Sequence, residues 1–94
     1  MTQIIIEQET EAHQGWMYRV LVTAEGVEYR YQVTLSWAEH DLWSHGRVPP
    51  ERVVRAAMRF LLDREPAEAI LKKFDCAVIR RYFPEVDREL PRLI

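Results

Sequence analysis

The sequence predicts a single α+β domain. A two- or three-stranded antiparallel β-meander over about residues 2–36 is covered on one face by three or four short helices over about 37–90. Three observations predict it. Apolar and polar residues alternate without a break over residues 27–37, which gives a strand one dry face and one wet face. A second alternating run, residues 16–23, precedes it, with Ala24-Glu25-Gly26 between the two. Beyond residue 37 the apolar spacing changes to three and four, and prolines divide the chain into short segments.

Taken in order, Ile4, Ile5 and Ile6 favour extended structure and suggest an additional strand over 2–8, with 9–15 as its connection. The hairpin is better specified. If Glu25-Gly26 is a two-residue turn, with Gly supplying positive φ, Val22 faces Tyr29, Val20 faces Tyr31, Tyr18 faces Val33 and Trp16 faces Leu35. A one-residue slip breaks every one of these apolar pairs, so turn and register agree. The odd face, Tyr29 through Trp37, is assigned to the core and the even face, Glu28 through Ser36, to water.

Residues 37–45 read as a helical turn or short helix ended by Gly46. Pro49-Pro50 opens the next helix, where a missing donor costs nothing in the first turn. Over 50–64, Val54, Ala57, Met58, Leu61 and Leu62 share one side, while Arg52, Arg55, Arg59 and Asp63 lie elsewhere. Pro66 starts a further helix over 67–74 with Ile70, Leu71 and Phe74 inward. Asp75 is placed to N-cap a helix over 76–83, and Pro84 begins a last short segment carrying Val86 and Leu90.

At 94 residues, 48% hydrophobic and 30% charged, the chain falls within the range of one small globular domain. A net charge of −2 argues against strong nonspecific binding to nucleic acid or anionic membranes. The charge is uneven: residues 1–47 hold three Arg against seven acids, residues 48–94 ten Lys/Arg against eight acids. The single cysteine, Cys76, excludes an internal disulfide and a Cys-based zinc site. No secretory leader pattern and no membrane-length apolar run is visible, so a cytoplasmic protein is expected.

In the helical half, Pro50-Glu51-Arg52-Val53-Val54, Phe60-Leu61-Leu62-Asp63-Arg64-Glu65, Ile70-Leu71, Phe74-Asp75, Val78-Ile79 and Tyr82-Phe83-Pro84-Glu85 resemble a family of small, uncharacterised bacterial proteins. Members of that family have a β-hairpin followed by helices of this kind. The resemblance spans about residues 16–90 and implies no activity, cofactor or site residue. The order of hairpin and then helix also resembles, in topology alone, HicB-type antitoxin domains.

The densest chemistry is Glu39-His40-Asp41-Leu42-Trp43-Ser44-His45. On a helix Asp41 and His45 share a face as a possible metal-ligand pair, but further ligands are lacking and a polar turn over packed Trp37 and Trp43 is preferred. Ser44 with His45 and Asp41 is a poor triad, because adjacent residues seldom present nucleophile to base. Cys76 follows a helix cap and precedes Arg80, which favours thiolate; Asp75 opposes it, and a buried structural role is preferred.

No catalytic residue, metal or cofactor is therefore expected. The expected function is a non-enzymatic interaction or self-associating module with a protein partner or a second copy of itself. The candidate surface combines Met17, Arg19, Leu21 and Arg30 on the sheet, Trp43, His45 and Arg47 at the turn, and Lys72, Lys73, Arg80 and Arg81 at the basic helical end. The alternative is a nucleic-acid-associated, antitoxin-like regulator using the last four.

Overall fold

Four strands form one mixed sheet in spatial order β1-β2-β3-β4 in the computed structural model, which describes residues 1–94. β1 (Gln3–Ala12), β2 (Gly15–Ala24) and β3 (Val27–Ser36) are antiparallel neighbours, and the short β4 (Lys73–Asp75) pairs in parallel with β3. The β2–β3 register is the expected one, with Val22 opposite Tyr29 and Trp16 opposite Leu35. The turn residues Glu25 and Gly26 both have positive φ, 52° and 78°, the geometry that matches strand twist in a two-residue hairpin.

The N-terminal strand is longer than expected. It continues through residues 9–12, so the connection shrinks to His13-Gln14 with Gln14 at φ 53°. A bulge at Glu7 separates two registers. Before it Ile4 and Ile6 face inward beside Val22 and Val20; after it Glu9 and Glu11 take the inward side beside Tyr18 and Trp16. The Tyr18 hydroxyl donates to Glu9 Oε1 at 2.7 Å, which meets the hydrogen-bonding need of a fully buried phenol.

Helix α1 (Trp37–Ser44) starts where the sheet alternation stops, and Ser36 Oγ caps it by accepting from Glu39 N. The switch from a period of two to one of 3.6 rotates Trp37 out of the core. It is 57% exposed, contrary to its expected burial. α2 (Pro50–Leu62) forms where the sequence predicts, two residues shorter; it buries Val54, Ala57, Met58 and Leu61 as expected, with Val53, Ala56 and Phe60 in addition, and leaves Leu62 half-buried. α3 (Ile79–Tyr82) and α4 (Val86–Glu89) are single turns. Asp75 caps the 3-10 turn Cys76–Val78 that leads into α3.

The helix expected over 67–74 does not form. One 3-10 turn, Ala67–Ala69, is followed by extended chain. The free edge of β3 takes this segment: Gln32 N donates to Lys72 O at 2.8 Å, and Phe74 lies inward beside Val33. Tyr31 hydroxyl donates to Ala67 O at 2.6 Å and holds its start. Sheet pairing and burial of Phe74 outweigh local helix propensity, which is a weak preference per residue. Ile70 and Phe74 are buried as expected, whereas Leu71 is turned out. No helix is long and apolar enough to cross a membrane.

Candidate functional site

The helices pack on one face of the sheet and leave the other open. Met17, Arg19, Leu21 and Arg30 all lie on that open face, as expected from their alternation. The register places Ile5, Leu21 and Arg30 in one row, and Gln8, Arg19, Gln32 and Lys73 in the next. Arg30 reaches across β2 to Glu7, with Nε to Oε1 at 3.2 Å and Nη2 to Oε2 at 3.4 Å. Its methylene stem therefore passes over the Leu21 row, as long cationic side chains commonly do on apolar surface. Leu21 is only 8% exposed and is not the surface contact expected of it.

Trp43 is likewise no surface residue. It is 2% exposed, and its indole N–H donates to Asp87 Oδ1 at 2.8 Å. Arg80, expected as a free cation, is fully engaged. Its Nη1 and Nη2 donate to Glu39 at 3.0 and 2.9 Å, and its Nη2 and Nε donate to Asp87 at 2.7 and 3.1 Å. One guanidinium thus joins α1, α3 and α4 beside the Trp43 ring. Hydrogen bonds to Glu39 and Asp87 raise the Arg80 pKa despite partial burial.

The bond from Arg80, helped by Trp43 and opposed by burial, holds the Asp87 carboxyl below its ordinary 3.8. A depressed carboxylate pKa contributes stability that is present above the unfolded value and lost as pH falls through the folded value. The midpoint of urea unfolding is therefore expected to fall more steeply below about pH 4 in the wild type than in Asp87→Asn. Equal acid slopes in the two proteins would contradict this.

His45 and Arg47 are exposed. α1 ends at Ser44, and His45 is its left-handed C-cap with φ 55°. His45 thereby leaves the helical face that a metal pair with Asp41 requires. Ser44 Oγ donates to His40 O at 2.6 Å, and His40 Nε2 bonds Val48 O at 2.7 Å. These groups close a turn and form no Ser-His-Asp array. No three His, Cys, Asp or Glu side chains gather as a metal-binding group. Cys76 is completely buried, and burial, with Asp75 and then Glu39, pushes its thiol pKa up. It serves as packing.

The basic end does not converge. Lys73 follows Gln32 onto the open sheet face, whereas Lys72 Nζ lies 5.3 Å from the Tyr29 ring and 5.6 Å from the Tyr31 ring. Glu51 and Arg55, and Glu68 and Lys72, which i,i+4 spacing on a helix would pair, form no salt bridge. The second fails because residues 70–72 lie outside any helix, and Arg55 instead donates to the Ile4 carbonyl.

One apolar surface was not visible in the sequence. A groove of about 300 Å³ opens between the end of α2, the extended chain after residue 69, and α3. Leu61, Ile70, Phe74, Ile79 and Phe83 line it, and nine of its ten lining residues are hydrophobic. Its single polar wall residue is Glu65, which has no ion-pair partner. Leu71 (52% exposed) and Tyr82 (65%) stand at its rim. Arg81, next to Tyr82, is exposed and also unpaired. The signal lay in Leu71, which a helix would have turned inward.

No protein-family model, curated protein or solved structure matches the chain significantly.

Proposed function

We propose that the chain is a non-enzymatic, cytoplasmic interaction module that associates with a second copy of itself through the groove between α2 and α3. The observation that carries this is an exposed aromatic knob, Tyr82, standing beside an apolar hollow that it helps to line. A knob and a hollow on one patch are self-complementary. A two-fold axis between them lets each copy seat Tyr82 in its partner's groove. Charge supports the same occupant: docking Tyr82 carries the unpaired Arg81 toward the unpaired Glu65 of the facing groove. Burying Leu71 and Tyr82 removes two of the chain's most exposed large apolar side chains from water.

Light scattering across a dilution series tests the reading. The wild type is expected to be dimeric at high concentration, and Tyr82→Asp and Leu71→Asp to remain monomeric with unchanged circular dichroism. Glu65→Arg and Arg81→Glu should each weaken the dimer, and the two together should restore it. A wild type that stays monomeric up to near-millimolar concentration overturns self-association. The nucleic-acid reading has less support, because Arg80 is neutralised by two carboxylates and Lys72 and Lys73 lie on opposite faces of the sheet.

A further inference from the structure

Three arginines of α2 line a second hollow, which shares no residue with the groove. Arg52, Arg55 and Arg59 occupy positions i, i+3 and i+7, within about 60° of one another around the helix and about 10 Å apart end to end. They line a hollow of about 260 Å³ whose other walls include Ile4 of β1 and the C-terminal Leu93 and Ile94. No carboxylate lies within 4.0 Å of any of the three. Glu51, next to Arg52, and the C-cap Asp63, four residues after Arg59, form no salt bridge with them. The chain has 15 acids and 13 bases, yet these three guanidinium groups line one hollow with no carboxylate in salt-bridge range.

We propose that Arg52, Arg55 and Arg59 form a binding site for a small organic phosphate. A carboxylate has two oxygens and is satisfied by a single guanidinium, which would leave two cations unmatched. A phosphate monoester or diphosphate presents more acceptor oxygens and at least two negative charges, which three planar forks can share. Arg55 is held in place for this by its bond to the Ile4 carbonyl and keeps further N–H donors. The apolar side chains of Ile4 and Leu93 in its walls suit a carbon-bearing phosphate better than the inorganic ion. The site is separate from the groove and does not depend on self-association.

Isothermal titration of the full chain at low salt, with inorganic phosphate, pyrophosphate and phenyl phosphate as probes, tests the proposal. Saturable one-to-one binding of pyrophosphate and phenyl phosphate is expected, with phenyl phosphate tighter than inorganic phosphate. Arg52→Gln and Arg59→Gln should each weaken binding about tenfold, or 1.4 kcal/mol, without moving the urea midpoint of the free protein. Arg55 is spared because its tether to β1 also supports the fold. Absence of saturable binding, or variants that bind like the wild type, overturns the site. Equal affinity for phenyl and inorganic phosphate overturns its organic selectivity. Tighter binding of a short single-stranded oligonucleotide than of pyrophosphate overturns it in favour of a nucleic-acid surface.

Discussion

Replacing Gly15 by alanine is expected to cost about 3 kcal/mol or more, near the upper end for forcing atoms into a filled site. A Cβ at this position falls 2.3 Å from the Leu35 carbonyl oxygen and 2.9 Å from Ser36 Cα. Both obstacles are backbone, so no side chain can swing aside. Retreat of β3 would pull at the Gly15–Ser36 and Trp16–Leu35 pairs and at Ser36, the cap of α1. The Trp37 N–H also donates to Gln14 O at 2.8 Å, tying the start of α1 to the turn before Gly15. A domain of this size has roughly 5–15 kcal/mol in total, so the variant should lose a large part of its stability. Urea unfolding followed by tryptophan fluorescence measures it. A loss below about 1 kcal/mol would mean that the two strands can separate there at little cost.

Phe60→Ala is the second large effect, at about 3–5 kcal/mol, from lost burial and the cavity left behind. Phe60 is fully buried, meets Phe83 edge to face at a centroid separation of 6.0 Å, and lies under the Arg64 guanidinium at 3.6 Å. Phe83 is also a wall of the apolar groove. Phe60→Ala should therefore weaken self-association as well as stability, whereas Phe60→Leu should recover most of both. Denaturant unfolding gives the stability and light scattering the dimer. If Phe60→Ala loses stability yet dimerises like the wild type, the groove is not the association surface.

The elements legible in the sequence were those whose signal is local and periodic. Val22 opposite Tyr29 and Trp16 opposite Leu35 followed from two alternating runs and a turn of the right length, because a register error turns a whole strand inside out. The buried face of α2 followed from its spacing of three and four. The open face bearing Met17, Arg19 and Arg30 followed from the same alternation. The bulge at Glu7 was not legible, since nothing in the run of residues 3–12 marks where the inward side changes from Ile6 to Glu9. The candidate surface was only half legible. Trp43 and Arg80 carry surface-like chemistry but are consumed by Asp87 and Glu39, residues far from them in sequence.

The sequence by itself thus determined the hairpin, the long amphipathic helix and the wet and dry faces of the sheet, because each depends on side-chain direction over a few consecutive residues. Only the tertiary structure decided that residues 70–75 would be extended, that the sheet would gain a fourth, parallel strand, and that the groove and the arginine hollow would exist. Those features join segments dozens of residues apart. Their free energy comes from closing the β3 edge and burying Phe74, not from the propensities of the residues that move.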